Sequence, residues 1–173
     1  MSAEVECVQK MLEDHGITHT RQREEILSLF IMESKHYKPD EIFKLLRGKG
    51  IGIATVYRTL EMLRERGIIK EISVGKEVGW ADIPLSAILN EIGESIDEVV
   101  KNNRDVASAM ITKAGQAYVK KLYEAGQIDG IIAYGGSMGA TIATSIMRIL
   151  PIGLPKMMLT TMASGDVRPY VGS

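Results

Sequence analysis

Residues 53–60 read Ile-Ala-Thr-Val-Tyr-Arg-Thr-Leu. Val56, Leu60 and Leu63 fall at i, i+4 and i+7, so the stretch from about Ile53 to Arg66 predicts a helix with one inward stripe. Gly67 closes it. Tyr57 and Arg58 fall off that stripe, where a small packed domain gains little from them. A helix laid in a DNA groove uses both residue types.

Three more helices precede this one. Residues 4–15 place Val5, Val8, Met11 and Leu12 on one face, and Gly16 stops the run. Thr20 is an N-cap for the second helix, with Ile26, Leu27, Phe30 and Ile31 facing inward. The third begins around Pro39, where a missing N–H costs nothing, and buries Ile42, Phe43, Leu45 and Leu46. Gly48 and Gly50 end it, and this short turn is the joint of a helix-turn-helix. Past Gly67 the period changes. Ile68-Ile69-Lys70-Glu71-Ile72-Ser73-Val74 alternates as a strand, Gly75-Lys76 offers a turn, and Glu77-Val78-Gly79-Trp80 returns. Residues 1–80 thus predict a winged helix-turn-helix, the ribbon being the wing.

In that arrangement the fourth helix reads DNA. Arg58 can form paired bonds to a guanine edge. Thr55 and Tyr57 can reach a thymine methyl or a phosphate oxygen, while Arg21, Arg23 and Lys76 serve backbone phosphates. A plainer reading stands beside this one. Arg58, Arg64 and Arg66 can simply solvate a surface helix, paired with Glu61 and Glu65. The charge balance favours the plainer view. Residues 1–79 carry 13 Lys and Arg against 13 Asp and Glu, and the whole chain has a net charge of −1. Non-specific DNA binding wants a clear positive excess.

The 173 residues suffice for one ordinary domain or two small ones. With 45% hydrophobic and 25% charged residues the chain reads as globular rather than disordered. A single cysteine, Cys7, rules out an intrachain disulfide and any Cys-x-x-Cys metal knuckle; it reads as a small apolar residue of the first helix. Only three histidines occur, His15, His19 and His36, so no metal site is expected. No Ser-His-Asp set or catalytic carboxylate pair can be assembled, so no catalytic residue is assigned and the chain does not read as an enzyme. Acidic residues occupy the place of a signal-peptide core, and no apolar run approaches the roughly 20 residues of a membrane span. A cytoplasmic location without membrane contact is expected.

From Asp82 the composition shifts to Ala, Ile, Met and Gly. Residues 86–93 and 96–101 predict short helices, and 106–125 a long one with Ala107, Met110, Ile111, Ala114, Tyr118 and Leu122 on its inner stripe. Ile131-Ile132-Ala133-Tyr134 predicts a buried strand. Gly135-Gly136-Ser137-Met138-Gly139 then feeds a helix to Leu150, and Lys156–Thr161 predicts a second strand ending in Ser164-Gly165-Asp166. A strand–helix–strand unit of this kind has two parallel strands and a right-handed crossover. Residues 81–173 thus form an incomplete α/β unit, and the whole chain is of the α+β class. A glycine turn feeding a helix exposes N–H groups at a positive dipole end, where an anion binds. Ser137 and Thr141 add hydroxyls, and Thr160, Thr161, Ser164 and Asp166 fall on the same rim. The loop lacks the Lys of a Walker loop and the spacing of a dinucleotide fingerprint, so glycines serving only a tight turn remain an equal reading.

Two resemblances add to this. Residues 12–78 resemble the DNA-binding domain of the ferric uptake regulator family. The matching runs are Gly16-Ile17 with Thr20-x-x-Arg23 and Ile26-Leu27, His36 with Asp40-Glu41-Ile42, and Ile53-Ala54-Thr55-Val56-Tyr57-Arg58-x-Leu60. The resemblance implies a transcription regulator that binds double-stranded DNA as a homodimer or higher oligomer, with Tyr57 and Arg58 meeting bases. The family's His-rich metal motif and dimerisation domain have no counterpart past the wing, so metal sensing is not implied.

Residues 82–172 are similar to the N-terminal ATP-binding domain of the tobamovirus-resistance (Tm-one-like) family. The similarity rests on Asp129-Gly130, Gly135-Gly136-Ser137-x-Gly139, the run from Ala143 to Lys156, and Ala163-Ser164-Gly165-Asp166-Val167-Arg168-Pro169-Tyr170-Val171-Gly172. It implies ATP as ligand, held by Gly135, Gly136, Ser137, Gly139, Ser164, Gly165 and Asp166. The strand, helix and strand that open that family's domain are replaced here by the helix-turn-helix segment. A truncated or recombined gene product is the corresponding expectation.

Overall fold

A computed structural model describes residues 3–31 and 45–160. The start of the expected third helix, His36, and the Ser164-Gly165-Asp166 loop lie outside the described residues. The elements are α1 (Ala3–Asp14), α2 (Arg21–Ile31), α3 (Ile53–Glu65), α4 (Leu85–Asn90), α5 (Ile96–Lys101), α6 (Arg104–Glu124), β1 (Ile131–Gly135), α7 (Ser137–Met147) and β2 (Lys156–Thr160). Residues 45–48 are also helical. The class is α+β, with helix dominant. The chain divides into two compact units, Met1–Ile69 and Lys70–Ser173.

In the first unit α1 packs on α2 and α2 on α3. The stripes read from the sequence meet in its core: Val8 and Leu12, Ile26 and Leu27, Val56, Leu60 and Leu63 are all buried. Each described helix end that leads into a glycine closes in one way. Gly16, Gly50 and Gly67 take positive φ (63°, 72° and 70°). The following isoleucine N–H then reaches back five residues: Ile17 to Leu12, Ile51 to Leu46 and Ile68 to Leu63, at 2.8, 2.8 and 2.9 Å. Such a reversal satisfies carbonyls that the helix end leaves open; Ile17 and Ile51 are buried and Ile68 half-buried. Thr20 caps α2, accepting the Arg23 N–H at 3.3 Å. Leu45, expected inside, is 38% exposed, because the helical turn 45–48 turns Leu46 inward instead. Cys7 lies on α1 and is exposed, off the apolar stripe.

The expected ribbon over residues 68–80 is not formed. Neither arm is a strand, and the segment's backbone groups pair elsewhere. Ile72 forms a lone parallel bridge with Ile83, through Ser73 N–H to the Ile83 carbonyl and Ile83 N–H to the Glu71 carbonyl, both 3.0 Å. The Glu71 N–H donates to Asp82 Oδ2 at 2.9 Å, and the Glu77 carboxylate accepts the Ser86 N–H and hydroxyl at 3.0 and 2.8 Å. Ile72 and Val74 pack on the second unit's core. The return arm, with Gly79 and only Val78 and Trp80 as strand formers, is a weak strand by composition, while Ile83 is buried.

The second unit forms around Ile88, Leu89, Ile111, Ala114, Ile142 and Ile146, all buried. Ser95 and Asn103 cap α5 and α6, accepting the Glu98 and Val106 N–H groups at 3.3 and 3.0 Å. Gly115 lets α6 and α7 approach closely, since a Cβ there would lie 2.4 Å from Ile146 Cδ1. β1 and β2 pair in parallel, with Ile131 opposite Lys156 and Gly135 opposite Thr160. β1 is only half-buried, and Tyr134 is exposed rather than enclosed as the apolar run suggested. Among the described residues the sheet has these two strands alone, so neither covers the other's outer edge.

Candidate functional site

In the first unit the candidate surface is the outer face of α3. Helical spacing turns Val56, Leu60 and Leu63 to the core. It leaves Tyr57 44% exposed and Arg58 exposed. Arg58 Nε donates to the Ala54 carbonyl at 3.3 Å, which lays the guanidinium along the first turn of the helix. That turn begins at Gly52, which supplies no side-chain cap. Thr55 is half-buried, and its carbonyl accepts the buried Thr59 hydroxyl at 2.8 Å.

The phosphate-directed residues differ in how free they are. Arg21 is exposed on α2, with Nε 4.0 Å from Glu25 Oε1. The Arg23 guanidinium donates to the Thr18 carbonyl, so it braces the turn before α2. Lys76 is exposed in the bend that follows Val74, and it belongs to the second unit. Its carbonyl accepts the Ser73 hydroxyl.

The second unit brings Gly135, Gly136, Ser137 and Gly139 together at the β1–α7 turn. The glycines do different things there. A Cβ at Gly135 would lie 3.3 Å from Gly139 Cα, so a side chain there would crowd the helix backbone that the strand end passes over. Gly136 is the N-cap of α7 and has open space around it. It gives no side-chain cap, and helix geometry leaves the first N–H groups of α7 without carbonyl partners inside the helix. The Thr141 hydroxyl donates to the Ser137 carbonyl at 3.0 Å.

A cleft of about 260 Å³ opens at this end of α7, lined by Arg104, Asp105, Ser108, Ser137, Met138 and Thr141. The sequence reading did not single out Arg104. Nothing in its local pattern marks it; only the fold carries Arg104 Nε to 3.4 Å from Met138 Sδ. The start of α6, capped by Asn103, thus stands beside the start of α7. Arg104 on the lining and the start of α7 beside it suit an anionic group, and the Asp105 carboxylate on the same lining opposes one. The residues present therefore fit a phosphate group in part. Thr160 lies opposite Gly135 on β2, and the remaining loop residues fall outside the described residues. Among the described residues no cluster of three or more His, Cys, Asp or Glu could hold a metal ion. No helix there is long and apolar enough to cross a membrane.

Two family models match the chain. That of the Uncharacterised protein family (UPF0261) N-terminal domain matches residues 55–173, and that of the Ferric uptake regulator family matches residues 14–82. The chain is 47% identical over 81 residues to a UPF0261 protein of Clostridium tetani, covering 46% of this chain and 20% of the relative. It is 44% identical over 70 residues to a UPF0261 protein of Rhizobium meliloti, covering 40% of this chain and 17% of the relative. It is 33% identical over 82 residues to the ToMV resistance protein Tm-1(GCR237) of Solanum lycopersicum, covering 47% of this chain and 11% of the relative. The chain thus spans a fifth or less of the length of these relatives. It belongs to the UPF0261 family, and its first part is similar to the Ferric uptake regulator family.

Proposed function

We propose that this UPF0261 family member is a DNA-binding transcriptional regulator whose first unit reads double-stranded DNA through α3. One observation carries the reading. Within the residues matched by the Ferric uptake regulator model, α3 sets Val56, Leu60 and Leu63 in the core and leaves Tyr57 and Arg58 exposed. Arg58 supplies a planar donor fork for a guanine edge, Tyr57 a ring and hydroxyl for a neighbouring base or phosphate, and Arg21 a backbone contact. The helix-turn-helix acts as a homodimer or higher oligomer, because one reading helix covers only half a site. The role is cytoplasmic and non-catalytic, and no metal takes part in it. An electrophoretic shift with promoter fragments compares the parent with the double variant Tyr57→Ala and Arg58→Ala. The parent shifts the fragment and the double variant does not; equal binding by both removes the proposal.

A second reading concerns the other unit. The uncapped start of α7, open space at Gly136, and Arg104 beside the loop favour a bound phosphate, and we propose ATP as its source. A ligand that binds only the folded form raises its melting temperature. Millimolar ATP stabilises the parent and leaves Gly136→Asp unchanged. An absent shift, or an equal shift in both proteins, ends this reading.

A further inference from the structure

We propose that Met138 is a redox-modification site, whose oxidation to the sulfoxide takes Arg104 away from an anion in the cleft beside α7. Met138 is the one apolar side chain on that lining; Arg104, Asp105, Ser108, Ser137 and Thr141 are polar. It is 41% exposed. Among the described residues Met147 and Met157 are buried and the remaining methionines half-buried. Exposure decides which methionine an oxidant in water reaches first. Arg104 Nε donates to Met138 Sδ at 3.4 Å, so the sulfur open to oxidation is already set against the cation of the cleft.

The oxidant is hydrogen peroxide. A sulfur lone pair attacks one peroxide oxygen, the S–O bond forms as the O–O bond breaks, and the departing hydroxide leaves as water with the proton of the transferred oxygen. Sulfur gives up two electrons and the peroxide takes them. A thioether is a weak acceptor, so an incoming phosphate oxygen displaces it from Arg104 at little cost. A sulfoxide oxygen is a far stronger acceptor, and it holds a guanidinium N–H in a charge-assisted bond. The same oxygen turns lone pairs towards any anion at the mouth of the cleft. With Arg104 engaged, the Asp105 carboxylate on the lining opposes the anion without compensation. The loss of ATP binding rests on the second reading given above; the oxidation and the capture of Arg104 do not.

The experiment uses the full chain with Cys7→Ser as the parent, so that the exposed thiol consumes no peroxide. Hydrogen peroxide is added to the native protein, and peptide mass mapping follows the gain of oxygen at each methionine. Met138 should be oxidised ahead of Met110, which is half-buried although its Sδ also accepts a side-chain N–H, from Asn102 at 3.6 Å. Met110 oxidised first, or at the same rate, overturns the proposal. Exchange of the Arg104 Nε–H, read by nuclear magnetic resonance without ATP, should slow on oxidation of the parent and stay the same in Met138→Leu treated alike. Unchanged exchange in the oxidised parent overturns the proposal. The rise in melting temperature given by millimolar ATP should fall by about half or more once Met138 is oxidised. In Met138→Leu that rise, whatever its size, should be equal before and after peroxide. Met138→Gln, which sets a carbonyl near the place of the sulfoxide oxygen, should show the reduced rise without peroxide. A rise that survives oxidation of Met138 overturns the proposal. No rise in any of the proteins, with the Arg104 exchange slowed by oxidation, ends the ATP reading alone and leaves the modification and its hold on Arg104 standing.

Discussion

A methyl group added at Gly135 would meet the Cα of Gly139 at 3.3 Å, and a backbone atom inside a helix cannot swing aside. The same methyl at Gly136 would meet nothing within 4 Å. Two adjacent glycines of one loop therefore answer to different demands. Gly135→Ala should cost about 1–3 kcal/mol of stability in a denaturant titration, by overpacking. Gly136→Ala should cost less than that, about 1 kcal/mol or under, because alanine is a poorer N-cap than glycine but lowers the entropy of the unfolded chain. The sequence showed the loop but could not divide the labour, because the crowding of Gly135 comes from the strand crossing the helix. A surface pair makes a second prediction at this scale. Lys121 Nζ donates to Glu91 Oε1 at 2.6 Å, and that bond, with the charge of Glu91, raises the lysine above its usual 10.5. The folded form then holds the proton more tightly than the unfolded one, so the contribution is full below 10.5 and fades as pH climbs through the raised value. The melting-temperature gap between parent and Lys121→Gln should be steady from neutral pH towards 10.5 and close above it. A gap that widens with alkali contradicts the assignment.

Elements were legible where a local pattern is enough to close them. Leu12, Leu46 and Leu63 each precede a glycine by four residues and an isoleucine by five. All three helix ends then form the same reversal, with the glycine at positive φ and the isoleucine buried or half-buried behind it. The glycines were read from the sequence as stops; the paired Leu and Ile explain why the chain turns back rather than fraying. A left-handed conformation strains any residue with a Cβ by about 1–2 kcal/mol. Gly67→Ala should therefore destabilise the first unit by about that much, while Gly52→Ala, in extended backbone with open space, should not. Thermal melts of the two variants compare them directly. The ribbon at 68–80 was misread for the opposite reason. Its alternation is real, but strand pairing is decided by which partner is present in three dimensions, and here Ile72 bridges to Ile83 while the arm around Gly79 forms no strand. Arg104 was missed on the same ground, since its place beside Met138 arises only when α6 and α7 are packed.

At the scale of the whole molecule the two family matches overlap on residues 55–82, while the compact units divide between Ile69 and Lys70. Kinship along the chain and packing in space thus draw the line in different places. Residues 70–82 match both families, yet their described contacts serve the second unit. Leu63 closes the core of the first unit and Ile88 that of the second, each at 1% exposure or less. Truncating either to alanine should cost about 2–5 kcal/mol, the lost burial plus the cavity left behind. Proteins open in cooperative pieces whose free energies need not be equal. If each core sustains its own unit, Leu63→Ala should speed hydrogen exchange at the Ile17 and Ile51 amides and leave those in α7 unchanged. Ile88→Ala should do the reverse, and it should also loosen the Ser73 and Ile83 amides, because Ile72, Val74 and Ile83 pack in the core that Ile88 fills. Exchange that rises equally in both units for either variant would mean that one cooperative core spans the chain, and residues 70–82 would then be a shared seam with no allegiance to either side.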